Sequence, residues 1–333
     1  MKVMTIAGTR PELIRLSVII KKIDELLEHV FIYTNQNYDY NLSGRFFDEM
    51  KIRIPDYYYQ GRATSFGNFL SVGFAWFEEI LDKENPDKIL VLGDTNSGLF
   101  AILAERRGIP VYHMEAENRC YDDRVPEETN RRIIDSLSKY NLPYTENSKQ
   151  NLLNTGFHKN NVFKTGNPIF EVLTANNKNI ESSDILTTLG VNKKDYVLVT
   201  VHRAENVDNT ISLVNIITAL NSIADNNKMI ITLHPRTLSK LKNINVKLSE
   251  YIMILEPMGF YDFIYLEKNA KCVISDSGTV QEECCIFGVP TLTMRETTER
   301  QETIECGSNI LCGTETKDIV DAFNITMSRE NKW

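Results

Sequence analysis

The sequence predicts an α/β protein of two doubly wound, Rossmann-like domains, each with a parallel sheet between layers of helices. Short β-branched or apolar runs alternate with amphipathic stretches of helical length, which is the pattern of βαβ units. This pattern restarts after the sequence TGNP at 165–168. Polar residues directly follow the predicted strands, where the ligands of doubly wound sheets bind. We therefore expect an N-terminal domain, 1–166, and a C-terminal domain, 167–333, that face each other across a ligand-binding cleft.

The predicted elements divide into two series of similar length. In the first half the predicted strands are 2–6, 30–34, 88–92, 110–114 and 161–164. The clearest helical patterns there are 13–27, 97–107 and 127–140. A polar stretch without a clear pattern covers 176–183. In the second half the predicted strands are 196–200, 229–233, 252–255, 272–274 and 291–294, and the clearest helices are 211–224, 261–268 and 279–287.

Composition excludes several classes of protein. The chain has 333 residues and a formal net charge of −8, whereas a nucleic-acid surface needs a clustered basic patch. A few converging Arg and His residues could still hold a phosphate-bearing small molecule. The six cysteines form no CxxC pair, which argues for reduced thiols and against a structural metal site. The start of the chain does not resemble a signal peptide, and no apolar run reaches the ~18 residues of a membrane span. We therefore expect a cytoplasmic protein with no membrane or nucleic-acid partner.

Charged residues follow the predicted strands of the first half. The sequence GTRPE at 8–12 places Arg10 at a helix start, which suits a phosphate or carboxylate but is also an ordinary capped helix start. It is neither a dinucleotide G-x-G-x-x-G motif nor a P-loop. Asp94 and Glu115 each follow a strand, and Glu127 begins a helix. Such residues can cap a helix or favour its dipole, but three carboxylates at element boundaries predict a carboxylate cluster.

Two His/Arg pairs follow predicted strands of the second half. His202 and Arg203 come after the first of these strands, and His234 and Arg236 come after the second. No further His or Cys stands at ligand spacing. The two pairs therefore predict a phosphate clamp rather than a metal site.

A third strand of the second half leads into Ser277 and Gly278, which open a helix. Backbone N–H groups at such a turn suit an anion. Glu283, about one turn later, could contact a ribose diol, and Arg295 follows the last strand. The DSG sequence is not a G-x-S-x-G elbow, which argues against a serine nucleophile.

Together these motifs resemble the non-hydrolysing UDP-N-acetylglucosamine 2-epimerases. Eight motifs occur in the family order along nearly the whole chain: GTRPE, GDTNS, HMEA, PEETNR, VHRAEN, HPRT, DSGTVQEE and RETTER. The family has a glycosyltransferase-B-like fold in which the second domain holds most of the UDP. The resemblance implies the catalytic residues Asp94, Glu115, Glu127 and His202. For binding UDP or substrate we assign Arg10, Arg203, His234, Arg236, Ser277, Gly278, Glu283 and Arg295.

The resemblance also implies a reaction. In the family, the C2 proton of a UDP-N-acetylhexosamine is removed while UDP leaves C1, which gives a 2-acetamidoglycal. UDP then adds back after a proton returns to the opposite face of C2. Acid/base groups are needed on both faces, and a carboxylate cluster can supply them. No metal or nicotinamide is required, and a homodimer serving polysaccharide biosynthesis is expected by resemblance.

The motifs are also compatible with activities besides UDP-GlcNAc 2-epimerisation. The segments NQNYDYNL, GDTNS and NRCYDDRVPEETNRRIID resemble the branch that forms UDP-N-acetyl-L-fucosamine from the 6-deoxy-L-talosamine epimer. A hydrolysing epimerase, a glycosyltransferase of the same architecture and a non-catalytic UDP-sugar binder would share the same fold and cleft.

The chain departs from the family pattern at five places. Asn35 stands where the family has Gly, and the sequence ERQE at 299–302 stands where it has ERPE. Glu117 stands where the family has Gly, Arg15 where it has Lys, and Thr279 where the DSG turn has a second Gly. A carboxylate at 117 would lie beside the catalytic cluster, where we expect it to perturb the pKa of its neighbours.

Overall fold

A computed structural model describes residues 1–34, 46–59, 61, 64–233, 235–244 and 246–333. His234 and the side chain of Arg236, both site candidates, lie outside this description. The described chain divides into two compact units, Met1–Ala175 and Asn176–Trp333. The predicted domain boundary after residue 166 lies close to that division and stays a prediction.

Among the described residues, each unit contains one six-stranded sheet, and all strand pairs of these two sheets are parallel. The strands of the first unit are β1 (Lys2–Ala7), β2 (Glu28–Tyr33), β3 (Tyr57–Tyr58), β4 (Lys88–Leu92), β5 (Val111–Met114) and β6 (Tyr140–Leu142). Those of the second are β7 (Tyr196–Thr200), β8 (Lys228–Thr232), β9 (Ile252–Leu255), β10 (Cys272–Ser275), β11 (Thr291–Thr293) and β12 (Asn309–Leu311).

Helices connect the strands in both units. The first unit has α1 (Arg10–Leu26), α2 (Phe66–Glu84), α3 (Ala101–Arg106), α4 (Pro126–Leu137) and α5 (Glu146–Asn154), and α6 (Ile169–Glu181) crosses the division between the units. The second has α7 (Ile185–Leu189), α8 (Ala204–Val207), α9 (Thr210–Ala224), α10 (Pro235–Asn243), α11 (Phe260–Asn269), α12 (Gly278–Phe287), α13 (Gln301–Glu305) and α14 (Thr316–Ser328). Among these described helices, none is long and apolar enough to cross a membrane.

Strand order confirms the predicted fold class. The first sheet runs β3-β2-β1-β4-β5-β6 and the second runs β12-β11-β10-β7-β8-β9. In each sheet the first strand of the unit lies beside the fourth, so the direction of winding reverses between them. This reversal is the switch point at which doubly wound sheets bind ligands. It places the loops after β1 and β4 together in one unit, and those after β7 and β10 together in the other.

Buried strands and aromatic packing hold the switch points in place. Four of the five residues of β4 and all five of β7 are buried, as expected for parallel strands covered on both faces. In the first unit, Phe100 stacks on Phe69 and Phe77 at ring-centroid distances of 5.7 and 5.1 Å. A Cβ atom at Gly73 would come within 2.8 Å of the Phe100 ring. The absence of a side chain at this position therefore permits the close approach of α2.

The polar stretch 176–183, which showed no clear pattern in the sequence, is helical up to Glu181 because α6 continues through it. Two local expectations were wrong. The predicted strand 161–164 is reduced to a single bridge between Asn141 and Val162. The predicted helix 97–107 begins as a 3₁₀ turn, Asn96–Phe100, before α3. Sequence pattern also missed the short strands β3, β6 and β12, whose two or three residues give too little alternation to detect.

Candidate active site

The first unit brings Asp94 and Glu115 together around one arginine. Asp94 follows β4 and Glu115 follows β5, and these strands are neighbours in the sheet. Nη2 of Arg131, on α4, lies 2.5 Å from Oδ2 of Asp94 and 3.1 Å from Oε1 of Glu115. Arg131 is among the largest fully buried side chains, whereas the Asp94 side chain keeps a quarter of its surface exposed. The guanidinium thus compensates two carboxylates, one of which still reaches the surface.

A second buried arginine neutralises the other oxygen of Glu115. Nη1 of Arg15, on α1, donates to Oε2 of Glu115. The guanidinium carbon of Arg15 also lies 6.0 Å from the ring centroid of Tyr144. Glu115 therefore has an arginine at each carboxylate oxygen. The family departure at 15 keeps a cation at this position.

The loop after β1 is built around Glu12 rather than around Arg10. Oε2 of Glu12 accepts hydrogen bonds from the backbone N–H of Gly8 and of Thr9, at 2.9 and 2.7 Å, which forms a capping box at the start of α1. The Thr95 hydroxyl donates to Oε1 of Glu12 at 2.9 Å and so joins this loop to the one after β4. Burial raises the pKa of Glu12 to about 7, although these hydrogen bonds act to lower it. Arg10 itself is exposed, with its guanidinium 5.1 Å from the centroid of the Phe46 ring.

A buried His–Asp pair lies behind Asp94 and Glu115. His113, at the end of β5, is fully buried. Its Nδ1 is 2.8 Å from Oδ1 of Asp135, and its Nε2 is 2.7 Å from the carbonyl oxygen of Gly93. Asp135 also accepts from the backbone N–H of Glu117, at 3.2 Å to Oδ2. One side-chain pair thus contacts the backbone of both loops that carry the candidate carboxylates.

The loop after β5 has an unusual backbone. Glu115 and Glu117 have φ values of 64° and 56°, in the left-handed region that non-glycine residues seldom adopt. The family glycine at 117 would fit this conformation without strain. The Glu117 side chain is buried and its Oε2 lies 3.5 Å from Nη1 of Arg119. Burial, together with the nearby carboxylates of Asp135 and Glu128, raises the pKa of Glu117.

Glu127 and its neighbour occupy different environments. Glu127 is exposed in the first turn of α4, whereas Glu128 is buried and pairs with Arg119. Burial alone would raise the pKa of Glu128, but the hydrogen bond and charge of Arg119, the backbone N–H of Cys120 and the charge of Arg132 together lower it. The assignment of Glu127 to the acid/base group stays a prediction.

In the second unit, Asp276 organises the loop after β7. Asp276 follows β10, is fully buried, and accepts from the backbone N–H groups of His202 and Arg203 at 3.1 and 2.9 Å. Nδ1 of His202 lies 3.1 Å from its Oδ1, and Asn206 links it to the carbonyl oxygen of Met294. Burial would raise the pKa of Asp276, but the hydrogen bond from His202 and the backbone donors lower it. Half of the His202 side-chain surface remains exposed, so the imidazole is held in place yet reachable.

Ser277 and Gly278 form the start of α12 as predicted. Ser277 is the N-cap residue and adopts an extended conformation. Glu283 is buried one and a half turns later, near the fully buried Glu267. Burial and the carboxyl group of Glu283 raise the pKa of Glu267 well above its usual range.

A carboxylate and three arginines lie beside this helix start. Nη2 of Arg295 is 2.9 Å and Nη2 of Arg203 is 3.6 Å from the Glu299 carboxylate. Burial opposes ionisation of Glu299, but the charges of Arg295, Arg300 and Arg203 together hold its pKa well below the usual range. Oε1 of Glu299 would lie 2.8 Å from a Cβ atom at Gly278. This cationic group, adjacent to the N–H groups of the helix start, suits a diphosphate.

Sequence reasoning found the residues at strand ends but missed those that hold them. The missed residues are Glu12, His113, Arg131, Asp135, Asn206, Asp276, Glu299 and Arg300. One signal was present in the sequence, since Arg131 and Asp135 are four residues apart in a helical segment and so share a face. Among the described residues, no group of three or more His, Cys, Asp or Glu side chains could hold a metal ion.

Comparisons with known proteins identify the family of the chain. A family model described as UDP-N-acetylglucosamine 2-epimerase matches residues 21–333. The UDP-N-acetylglucosamine 2-epimerase of Methanocaldococcus jannaschii is 39% identical, over 100% of this chain and 94% of its own. The UDP-2,3-diacetamido-2,3-dideoxy-D-glucuronate 2-epimerase of Pseudomonas aeruginosa is 33% identical, over 99% and 93% of the two chains.

A solved structure extends the likeness to three dimensions. The M. jannaschii UDP-GlcNAc 2-epimerase in complex with UDP-GlcNAc and UDP has a TM-score of 0.93 and 38% identity, covering 100% of this chain and 94% of that one. Fold, motif order and full-length identity therefore agree, and the chain belongs to the UDP-N-acetylglucosamine 2-epimerase family.

Proposed function

We propose that this protein inverts C2 of a UDP-N-acetylhexosamine and interconverts UDP-GlcNAc and UDP-ManNAc. The observation that supports it most directly is the pairing of Asp94 and Glu115, from two strand-end loops, with the single guanidinium of Arg131. Inversion needs a group that removes a proton from C2 and a group that returns one on the other face. Two carboxylates on separate loops suit these two roles.

In the proposed reaction, a carboxylate takes the C2 proton while the C1–O bond breaks and UDP departs with the bonding electrons. The product of this step is a 2-acetamidoglycal. A proton then returns to the opposite face of C2, and the diphosphate oxygen adds back to C1. Asp94, Glu115 and Glu127 form the proposed acid/base group. His202 is proposed to donate to the departing diphosphate, because its imidazole is partly exposed and oriented by Asp276.

The proposal assigns UDP binding to the second unit. Its support is the start of α12 at Ser277 and Gly278, with Arg203 and Arg295 beside it. Helix N–H groups and guanidinium groups are the donors that a diphosphate prefers. Glu283 is proposed to contact the ribose. Arg10, His234 and Arg236 complete the proposed binding set by family resemblance.

The relatives differ in the sugar of the UDP-sugar for which they are named. One relative is named for UDP-N-acetylglucosamine and another for a diacetamido glucuronate. The family resemblance also supports a cytoplasmic homodimer that serves polysaccharide biosynthesis without nucleic acid, metal or cofactor. Sedimentation velocity of the purified protein tests the dimer.

The decisive experiment is incubation with UDP-GlcNAc in D2O, with the UDP-6-deoxy-L-talosamine derivative and the diacetamido glucuronate tested in parallel. We expect deuterium at C2 and the C2 epimer, read by NMR. Free N-acetylmannosamine with UDP would indicate a hydrolysing epimerase instead. Failure of every UDP-sugar to exchange C2–H would refute the proposal.

A variant separates chemistry from binding. Glu115→Gln keeps the shape of the side chain but cannot accept the C2 proton. We expect it to abolish exchange while UDP still binds in a calorimetric titration. Glu305→Gln, on an exposed turn of α13, is the matched control and should keep wild-type exchange. Loss of UDP binding in Glu115→Gln would indicate a structural role for Glu115.

A further inference from the structure

The hydrogen bonds of His113 and Asp135 limit where the protons of this pair can lie. The carbonyl oxygen of Gly93 can only accept, so Nε2 of His113, 2.7 Å away, carries a proton. Nδ1 faces a carboxyl oxygen of Asp135 at 2.8 Å. A hydrogen bond there requires one shared proton, which makes the pair either imidazolium–carboxylate or imidazole–carboxylic acid. Both forms carry no net charge, which suits a pair with no exposed imidazole surface.

The pair connects the two loops that carry the candidate carboxylates. On one side, Nε2 of His113 binds the carbonyl oxygen of Gly93, the residue before Asp94. On the other, Asp135 accepts from the backbone N–H of Glu117, two residues after Glu115. Gly93 has a φ of 74° and Glu117 a φ of 56°. Both loops therefore hold strained or glycine-dependent conformations at the points where the pair contacts them.

Helix α4 contacts both the side chains and the backbones of these loops. Arg131 pairs with the carboxylates of Asp94 and Glu115, and Asp135, one turn later, lies on the same helix face. Asp135 is itself fixed, because its backbone carbonyl accepts from Nδ2 of the fully buried Asn141 at 3.1 Å. Arg131 thus holds the carboxylate side chains through their charges, whereas Asp135, paired with His113, holds the backbones of their loops.

We propose that the His113–Asp135 pair is a positioning device that fixes the loops of Asp94 and Glu115 for proton transfer at C2. This inference rests on the proposed function, in which those carboxylates exchange the C2 proton. Neither His113 nor Asp135 is assigned contact with substrate. A displacement of ~1 Å at a reacting group lowers the rate on the order of 100-fold. Losing the pair should therefore lower kcat without weakening UDP binding, which is assigned mainly to the second unit.

The kinetic test compares two substitutions at one position. Asp135→Ala removes both contacts, and we expect C2–H exchange to fall on the order of 100-fold with the Kd for UDP unchanged. Asp135→Asn can still accept from the Glu117 N–H and donate to Nδ1 of His113, so it should recover most of that rate. Ser138→Ala, which removes a buried hydroxyl bonded to the carbonyl of Ile134 on the same helix, is the matched control. Wild-type kcat in Asp135→Ala would overturn the proposal, as would equal losses in kcat and UDP binding.

Two measurements need no substrate. The shared proton should give a far-downfield ¹H NMR resonance that both His113→Gln and Asp135→Asn remove. Hydrogen exchange should accelerate at residues 93–95 and 115–118 in Asp135→Ala but not in Ser138→Ala. If no UDP-sugar exchanges C2–H, the proposed reaction fails while these measurements still decide whether the pair positions the loops. Unchanged exchange rates in both loops of Asp135→Ala would overturn the positioning role by themselves.

Discussion

The two units share one strand order but carry opposite charge at their switch points. The loops after β4 and β5 present carboxylates, and buried arginines compensate them from the helices. The loops after β7, β10 and β11 present cationic and N–H groups, and buried carboxylates compensate those. The same backbone topology therefore sets where polar groups emerge, whereas their charge comes from the side chains at those positions.

The compensating charge differs in its accessibility to the ligand. Arg131 is fully buried on α4 and contacts the carboxylates from behind. Asp276 is likewise fully buried and holds backbone donors. Glu299, by contrast, keeps 15% of its side-chain surface exposed beside its arginines. In the first unit the carboxylates are therefore held by a fully buried arginine. In the second unit, part of the charge of the arginines is neutralised by Glu299, which lies near the surface.

We expect the largest effect from removing the buried arginine that compensates the carboxylates of the first unit. Arg131→Ala leaves Asp94 and Glu115 without a shared counter-ion, and loss of one partner of a buried pair costs about 3–5 kcal/mol. We expect the first unit to be destabilised by that amount and C2–H exchange to be lost. Urea unfolding followed through Trp76, in a Trp333→Phe background, measures the first unit alone.

The neighbouring Arg132 supplies the control for this substitution. Its side chain is 47% exposed and pairs with the exposed Asp123 at 2.9 Å and, more loosely, with Glu128 at 3.4 Å. Arg132→Ala should change stability by less than about 1 kcal/mol. Equal losses in the two variants would show that Arg131 is not the shared counter-ion of the carboxylates.

The second prediction concerns the buried carboxylate of Asp276, which holds the backbone donors of the second unit. Asp276→Asn keeps the size of the side chain but loses charged hydrogen bonds, each of which contributes about 1.5–3 kcal/mol. Because the folded pKa of Asp276 is lowered, its contribution is present above the unfolded value of about 3.9 and is lost as pH falls through the folded value. The stability gap between wild type and variant should therefore be full at neutral pH and shrink in acid.

Fluorescence of Trp333, in a Trp76→Phe background, follows urea unfolding of the second unit for this test. Asp225→Asn, at the exposed C-cap of α9, is the control and should change stability by no more than about 0.5 kcal/mol. A wild-type to Asp276→Asn gap that widened on acidification would contradict the assigned direction.

We expect the smallest effect from a substitution at Glu117, in the first unit. Glu117→Gly relieves a left-handed conformation that costs a non-glycine residue about 1–2 kcal/mol, partly offset by the entropy of glycine in the unfolded chain. We expect the first unit to gain about 0.5–1 kcal/mol in thermal or urea unfolding. Lys51→Gly, at an exposed residue with a φ of 51°, should show a similar gain. A loss at 117 with a gain at 51 would instead show that the buried carboxylate and Arg119 stabilise the loop.

The sequence predicted the strand-end loops because buried parallel strands are continuous apolar runs and the polar residue after each run stands out. Asp94, Glu115, His202 and Ser277 were identified in this way. Arg131 and Asp135 were missed because charged residues within a helix ordinarily face solvent, and only the packed position of α4 shows that they do not. Glu127 and Glu128 illustrate the same limit, since adjacent glutamates in PEET differ in burial only once the helix is oriented.

By itself, the sequence determined the class of fold, the order of the motifs and the family. These follow from local periodicity and from which residue follows each strand, both of which are properties of short segments. The tertiary structure alone decided which charges meet: Arg131 with Asp94 and Glu115, His113 with Asp135, and Asp276 with the loop of His202. Most of these partners lie tens of residues apart, and their pairing depends on strand order and helix rotation, which no short segment encodes.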